Sequence, residues 1–320
     1  MRLARVIYLA VAVVAAYPVA ASHAAQDLKL AWTKTDHSVA LTNRGKVVWQ
    51  FNHGKDHPKP CFHPLATLDG TVLTDFRPRD HIWHRAAWFS LKEIDQLNYW
   101  EENRQGVSAG CNETLDVKVE TQADFSAVVR LRQSYHPPGD PELLGEERVI
   151  RISAPDKDGS YTLDWQHVFT ARRKLTVGAS ARYAGLSLRI SKQLLKWSFL
   201  NSEGGSADKD VHGKSARWLT YKGPLAGGGA ALTVFDHPTN PRHPTKWFIV
   251  KGMPYFSPAF VFDGPMTLAK DQTISLFYRM KVHGSAPNAK ALEADYQAFA
   301  KQVPKVANGN NTTLENGSRK

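Results

Sequence analysis

The sequence predicts an all-β protein, namely one large antiparallel β-sandwich that is closed by a C-terminal helix. Two observations predict this class. Apolar and polar residues alternate in many short runs, and this period is typical of half-buried strands. Clusters rich in proline, glycine and aspartate separate the runs, as in HPPGDPE, APDKDGS and HPTNPRHP. No sharp change of composition divides the chain, so we expect residues 26–304 to form a single domain.

The N-terminal segment predicts export. Residues 1–25 begin with the basic stretch MRLAR, continue with the apolar run VIYLAVAVVAAYPVA and end in a small-residue cleavage pattern. This order is typical of a cleavable signal peptide. We therefore expect a periplasmic or secreted protein. No later run reaches the ~18 apolar residues of a membrane-spanning helix, so no integral span is expected after cleavage.

Five segments carry the strand signal. In chain order they are 125–133, 146–153, 161–169, 229–235 and 273–283. The alternation is sharpest in YTLDWQHVF, where every second residue from Tyr161 to Phe169 shares one face. It is equally sharp in TISLFYRMKVH, where the shared face runs from Ile274 to Val282. These faces predict the core of the sandwich.

One helix is predicted, over residues 288–302. Leu292, Tyr296 and Phe299 recur there at helical spacing. The following segment, 305–320, has almost no apolar residue to bury and is predicted to be disordered.

Charge and cysteine content limit the partners. The formal net charge is +11, but lysine and arginine are scattered among acids, so we expect no nucleic-acid partner. An exported protein meets oxidising conditions, in which Cys61 and Cys111 can form a disulfide. The sequence leaves two alternatives open, a disulfide between them or two free thiols. The sequence leaves the oligomeric state open.

The segment 75–102, DFRPRDHIWHRAAWFSLKEIDQLNYWEE, mixes histidine, arginine, carboxylates and tryptophan. Buried charges are costly unless they are paired or used in chemistry. Titratable groups beside aromatic rings suit a cleft that binds sugars or transfers protons. We therefore place one side of the functional site in this segment. The polar clusters of residues 237–247 and 279–283 are expected to complete it, because histidines in loops and at strand ends often assemble into sites.

Several runs also carry a family resemblance. PCFHPLATLDGTVLTDFRPRDHIWHRAAWFS, NYWEE, WLTYKG, FDHPTNPRHPTKWFI and LFYRMKVHG follow one another from about residue 50 to residue 284. Together they resemble the successive motifs of a bacterial family called "methane oxygenase PmoA-like". That name is misleading, because true particulate methane monooxygenase subunits cross the membrane several times and this chain has no such span. The chain departs from the family's pattern at Ala86-Ala87, where a glycine is expected.

The resemblance implies a galactose-mutarotase-like super-sandwich and an exported protein of sugar catabolism. Such sandwiches bind a ligand on a sheet face, with histidines and carboxylates from strands and adjoining loops. Fold alone does not fix the chemistry. We predict a carbohydrate-active enzyme, a lyase, hydrolase or epimerase, that acts on a glycoside, an oxidised keto sugar or a uronide through acid–base chemistry of histidines and carboxylates.

The candidate residues follow from their chemical types. The catalytic candidates are His81, His84, His63, His243, Asp80 and Glu101. The substrate-binding candidates are Arg77, Arg85, His237, Asn240, Arg242, Trp247, Tyr278, Arg279, His283 and Trp100. Arginine is expected to bind a carboxylate or an oxyanion, and tryptophans, Trp83 and Trp88 included, are expected to stack on sugar rings.

Two other functions stay open. A non-catalytic glycan-binding protein would use the aromatic and arginine side chains alone. A metal-dependent enzyme would use His63, His81 and His84 as ligands of a divalent metal. No other cofactor is expected.

Overall fold

The structure is a computed structural model that describes residues 28–178, 183–192, 197–224 and 229–304. It confirms the predicted fold class, because its sheets are antiparallel and a helix follows the last strand. The predicted signal peptide, residues 1–25, and the predicted disordered segment, residues 305–320, lie outside the described residues. No helix in the described part of the chain is long and apolar enough to cross a membrane.

The chain contains the following elements. The strands are β1 Leu30–Thr35, β2 Ser38–Asn43, β3 Lys46–Asn52, β4 Cys61–Leu65, β5 Ala87–Ser90, β6 Glu93–Ile94, β7 Leu97–Asn98, β8 Cys111–Thr121, β9 Ala127–His136, β10 Leu144–Ile152, β11 Tyr161–Ala171, β12 Leu175–Val177, β13 Gly185–Arg189, β14 Ser198–Asn201, β15 Trp218–Gly223, β16 Ala230–Asp236, β17 Trp247–Val250, β18 Met253–Pro258, β19 Met266–Leu268 and β20 Thr273–His283. The helices are α1 Asp208–Val211 and α2 Ala289–Ala300.

These strands form three sheets. Sheet I has the strand order β1-β2-β3-β4-β5-β13-β18-β17, and sheet II has the order β14-β15-β16-β20-β11-β10-β9-β8. A small third sheet has the order β19-β12-β6-β7. We call the side of sheet I or sheet II that is turned away from the other sheet its outer face.

Sheets I and II pack face to face around one apolar core. The ring of Phe62 in sheet I lies 5.5 Å from the ring of Trp165 in sheet II. The Tyr161 hydroxyl crosses between the sheets and lies 3.0 and 2.9 Å from the carbonyl oxygens of Val48 and Ala66, which share its single proton. Burial of these apolar faces is the main force that holds the two sheets together.

The five predicted strands are confirmed as β9, β10, β11, β16 and β20, which are neighbours in sheet II. The predicted core face of β11, from Tyr161 to Phe169, is buried, and so is most of the face of β20 that ends at Val282. Sheet II is easy to predict because its central strands alternate cleanly between a core side and an outer side.

Helix α2 packs on the outer face of sheet II. Leu292, Tyr296 and Phe299 are buried there against an aromatic patch of the sheet. The Asn288 side chain accepts a hydrogen bond from the Ala291 amide and so caps the helix, which explains why the helix begins at this point. The predicted helix 288–302 is thus confirmed with ends that differ by one or two residues.

Candidate functional site

The candidate site lies on the outer face of sheet I, at strands β5, β13 and β18. The register pairs Ser187 with Trp88 and Arg189 with Tyr255, so these four side chains share that face. Neighbouring residues on the same strands, such as Phe89, point to the core between the sheets. The first part of segment 75–102 folds across this outer face and brings its polar side chains to it.

His81 and His84 lie side by side on this face. Their ring centroids are 4.6 Å apart and their planes are tilted by 30°. His84 is buried, and its ring stacks on Tyr255 at 5.0 Å and contacts Trp88 at 5.2 Å. Burial, helped by the nearby charges of His81 and Arg189, lowers the pKa of His84 to about 3. His84 is therefore neutral at pH 7, with one ring nitrogen that donates its N–H and one that can accept a hydrogen bond.

Asp80 connects the histidine pair to sheet I. Its Oδ2 atom accepts a hydrogen bond of 2.7 Å from Arg189 Nη2 and lies 3.3 Å from His81 Nδ1 and from Lys192 Nζ. The His81 contact lacks the alignment of a hydrogen bond. Partial burial raises the pKa of Asp80, but the hydrogen bond and the charge of Arg189 outweigh it and leave the pKa well below its ordinary value. Asp80 is thus an ionised acceptor beside His81.

Aromatic rings surround this polar group. Trp83 is partly exposed and meets His81 edge to face at 5.2 Å, so Trp83 can stack on a ligand. The expectation for the other tryptophans is wrong. Trp88, Trp100 and Trp247 are 0%, 2% and 0% exposed, because Trp88 and Trp100 form the buried base of the aromatic cluster and Trp247 belongs to the core.

Glu101 lies in the same aromatic cluster but has other partners. It accepts hydrogen bonds from Tyr183 Oη at 2.7 Å, from Asn98 Nδ2 at 2.6 Å and from Lys92 Nζ. Burial raises the pKa of Glu101, and the hydrogen bond from Lys92, followed by those from Tyr183 and Asn98, brings it below its ordinary value. Tyr183 also packs against Trp100 at 5.2 Å. Glu101 therefore supports the aromatic cluster, and its described hydrogen bonds do not include the histidine pair.

Arg85 belongs to a buried ion cluster around Glu102. Arg85 Nε and Nη2 donate to the two Glu102 oxygens at 2.9 and 2.7 Å, and Lys59 Nζ donates to Oε1 at 2.8 Å. Arg77, which is partly exposed, lies 3.3 Å from Oε2. Burial lowers the pKa of Lys59 to about 8. The expectation that Arg85 binds substrate is wrong, because the two Glu102 oxygens already occupy both Nε and Nη2 of its guanidinium.

His63 lies on another part of sheet I. Its Nδ1 atom is 3.2 Å from Thr74 Oγ1, and its ring stacks on Phe76 with centroids 5.3 Å apart. Burial lowers the pKa of His63 below its ordinary value. No described contact joins His63 to the histidine pair, so its described contacts give it a role in packing and not in proton transfer there.

The histidines of segment 237–247 do not complete this site. His243 Nδ1 lies 2.8 Å from Asp236 Oδ2, and its Nε2 lies 3.2 Å from the Tyr296 hydroxyl of α2. His237 Nε2 lies 3.0 Å from the Gln302 carbonyl oxygen. Both histidines therefore hold α2 against the outer face of sheet II, on the side of the sandwich opposite to His81 and His84. The sequence could not show this, because it does not reveal on which sheet the preceding strand lies.

The polar groups of three other candidates also form hydrogen bonds or ion pairs within the fold. Asn240 Nδ2 donates to Asp236 Oδ1 at 2.7 Å, and Arg242 donates to the carbonyl oxygens of Phe260, Gly264 and Pro265 at 3.0, 2.6 and 2.9 Å. Arg279 forms a two-point pair with Asp164 on sheet II, at 2.6 and 2.7 Å.

Two further candidates are buried, His283 on the outer side of sheet II and Tyr278 in the core between the sheets. His283 Nε2 lies 2.8 Å from Thr233 Oγ1, and burial lowers the pKa of His283 to about 3. Tyr278 is fully buried in the core. The composite site expected from segments 75–102, 237–247 and 279–283 is therefore not formed.

The described residues do not form the metal site that a metal-dependent enzyme would need. Across the described ranges, no three histidine, cysteine, aspartate or glutamate side chains are grouped so that they could hold a metal ion. Cys61 and Cys111 are both free thiols, and burial raises the pKa of Cys61 to about 12, so Cys61 is neutral and unreactive.

Sequence reasoning missed two polar groups. Arg189 is the main partner of Asp80, and its signal was a lone charge in the apolar strand GLSLRI. A second group, Glu146 with Arg148 and His167, is buried in the core, where both other side chains contact the carboxylate at 2.6 to 2.9 Å. The sequence indicates this group by charged and histidine residues at the core-facing positions of β10 and β11, where the alternation predicts apolar residues.

Taken together, the fold and the site define an antiparallel β-sandwich protein with a histidine–carboxylate–arginine group on the outer face of one sheet. Residues 38–297 match the model described as "Family of unknown function (DUF6807)", and the chain belongs to this family. The matched description does not use the PmoA-like name that the sequence motifs suggested. A comparison with curated proteins gave no match.

Some solved structures are similar in outline. The α-galactosidase from Lactobacillus brevis aligns with 10% identity and a TM-score of 0.39 over 82% of this chain and 40% of its own length. The Slr1438 protein from Synechocystis sp. PCC 6803 aligns with 8% identity and a TM-score of 0.39 over 80% of this chain and 96% of its own. A TPR-domain containing protein from Parabacteroides distasonis aligns with 10% identity and a TM-score of 0.25, over 88% of this chain and 50% of its own. At these identities and TM-scores, the likenesses carry no argument about activity or ligand.

Proposed function

We propose that this chain is an exported carbohydrate-active enzyme, a lyase, hydrolase or epimerase, whose site is the histidine group on the outer face of sheet I. The observation that carries the proposal is the pair His81 and His84, with rings 4.6 Å apart, beside the ionised Asp80 and the partly exposed Trp83. Acid–base work on a sugar needs a proton acceptor and a proton donor within reach of one reacting centre. A neighbouring indole ring provides a surface on which a sugar ring stacks.

The two histidines have different surroundings, which supports different roles. His84 is kept neutral by burial, so its ring is suited to donate its N–H to an oxygen atom of the substrate. His81 is more exposed, with 28% of its side chain accessible, and the Asp80 carboxylate lies 3.3 Å from its Nδ1. Asp80 can therefore orient His81 while His81 exchanges a proton with the substrate or with water. We assign His81, which lies beside the Asp80 carboxylate, as the base, and the neutral His84 as the N–H donor that acts as the acid.

A substitution of His84 tests this proposal. We expect His84→Gln, which is similar in size, to lower kcat by about 10²–10⁴-fold, the usual contribution of a positioned acid or base. The measurement is turnover of a panel of glycosides, 3-keto-glycosides and uronides. His136→Gln, on β9 at the far sheet, is the matched control and should retain activity. Unchanged turnover by a folded His84→Gln protein would remove His84 from the chemistry.

A non-catalytic glycan-binding protein is the second candidate. It is favoured by the aromatic side chains that are only partly buried around the base of Trp88 and Trp100, among them Trp83, Tyr183 and Phe248. Such a surface binds sugars without any acid or base. Binding of a sugar by the wild-type protein with no product from any compound in the panel would favour this second function.

A further inference from the structure

Arg189 is paired differently from three other arginines of the chain. Arg85, Arg148 and Arg279 each donate Nε and Nη2 to the two oxygens of one carboxylate, with distances between 2.6 and 2.9 Å. This two-point contact is the geometry in which a guanidinium pairs best with a carboxylate. Arg189 contacts Asp80 through Nη2 alone, at 2.7 Å. The Nε–Nη2 edge of Arg189 therefore binds one carboxylate oxygen, whereas the same edge of Arg85, Arg148 and Arg279 binds two.

The incomplete pairing is costly where Arg189 lies. Its side chain is 0% exposed, and Nε and Nη1 have no hydrogen-bond partner within the described ranges of the chain. A buried donor without a partner is unfavourable, so native proteins rarely leave one without a ligand or a function. An oxygen atom from outside the chain would satisfy Nε.

Two more unpartnered nitrogen atoms lie in the same group. His81 Nδ1 and His84 Nδ1 are buried and make no hydrogen bond to any described residue. They belong to rings that are 4.6 Å apart, and His81 Nδ1 is 3.3 Å from the oxygen atom that Arg189 binds. Arg189 Nε and Nη1 and His84 Nδ1 thus have no described hydrogen-bond partner, and His81 Nδ1 has only the contact with the Asp80 carboxylate. A ligand with several oxygen atoms fits this arrangement better than a single water molecule.

The charge of the group favours an anion. Arg189 and Lys192 are both within 3.3 Å of Asp80, so two cations face one carboxylate. The Asp80 side chain is 37% exposed, and it can stay with Lys192 and His81 while a second carboxylate takes the Nε–Nη2 edge. A neutral hydroxyl group would leave the remaining positive charge unmatched.

We infer that Arg189 binds the carboxylate of an acidic sugar, a uronate, and that His81 and His84 contact the neighbouring oxygen atoms of the same ring. This inference rests on the proposed function, because it names the ligand class of the same site. Arg189 then sets the preference for acidic over neutral sugars, and Trp83 offers its ring face to the sugar.

Calorimetric titration of the wild-type protein with matched sugars tests the inference. The probes are the methyl glycosides of glucuronate and glucose, of galacturonate and galactose, and of mannuronate and mannose. We expect at least one uronate to bind about tenfold or more tightly than its neutral partner, since a charge-assisted pair contributes at least that factor. Arg189→Lys keeps the charge but loses the two-point geometry, and we expect it to lose most of this preference. Arg130→Gln, an exposed arginine on β9, should keep it.

A second comparison covers the case in which Arg189→Lys does not fold. The methyl ester of the preferred uronate removes only the negative charge, and the wild-type protein should bind it about as weakly as the neutral sugar. If wild-type protein binds or converts neutral sugars as well as uronates, or if folded Arg189→Lys keeps the preference, the inference is overturned and the proposed function stands. If it binds and converts no sugar of either kind, both are overturned.

Discussion

Glu101 and Glu102 are adjacent in the sequence but have different surroundings. Glu102 is fully buried between Lys59 and Arg85, whereas 28% of the Glu101 side chain is accessible. We expect Glu102→Gln to lower the free energy of unfolding by about 3–5 kcal/mol, because it leaves buried cations without a counter-charge. Glu101→Gln, the matched control, should cost about 1 kcal/mol or less. Urea unfolding measures both, and equal losses would contradict this account.

Single residues also show how far the sequence predicts the site. His81 and His84 could be paired from their spacing, and Asp80 is next to them in the chain. Arg189 could not be assigned to the group, because only the pairing of β13 with β5 and β18 brings it there. Arg85 was predicted to bind substrate from its residue type, but the sequence does not reveal that Glu102 occupies it.

At the scale of the element, α2 contributes stability on the side of the molecule away from the histidine pair. We expect Leu292→Ala to lower the free energy of unfolding by about 2–5 kcal/mol, because it leaves a cavity between α2 and sheet II. Lys290→Ala, on the exposed side of the same helix, should change it by about 0.5 kcal/mol or less. Urea unfolding of the two variants checks this, and a comparable loss in both would show that α2 does not depend on its apolar side.

The positions of the strands can be predicted from the sequence more reliably than the pairing between them. β11 and β20 each have one apolar side in clean alternation, so their positions and core residues follow from the sequence. The placement of His237 and His243 depends on β16 lying beside β20 in sheet II, which is a contact between segments far apart in the chain. Local pattern carries no information about such a contact, and the site was therefore extended to the wrong side of the sandwich.

At the scale of the whole molecule, buried histidines make stability depend on pH. Burial, as the largest cause, lowers the pKa of His84 and His283 to about 3 and that of His167 to about 4, from 6.5. Below pH 6.5 the unfolded chain therefore binds more protons than the folded chain. Stability is full above about pH 6.5 and falls as the pH decreases towards 4, and the His167 shift alone accounts for about 3 kcal/mol.

Urea midpoints between about pH 7 and about pH 4.5 measure this dependence. We expect the midpoint to decrease steadily through this range. His283→Gln removes one of the three titrating groups, so its decrease should be shallower than that of the wild-type protein. A midpoint that stays constant over the range would mean that these histidines are not held neutral by the fold.

The whole fold was predictable because its class depends on a repeated local pattern, whereas the shape of the site depends on which strands meet. In β5 and β13, Phe89 and Leu188 face the core, while Trp88 and Arg189 face the candidate site. Each strand thus carries two sets of positions under separate constraints. During evolution the outward set can be replaced to suit another ligand while the inward set stays constant, so members of this family can diverge in specificity on an unchanged scaffold.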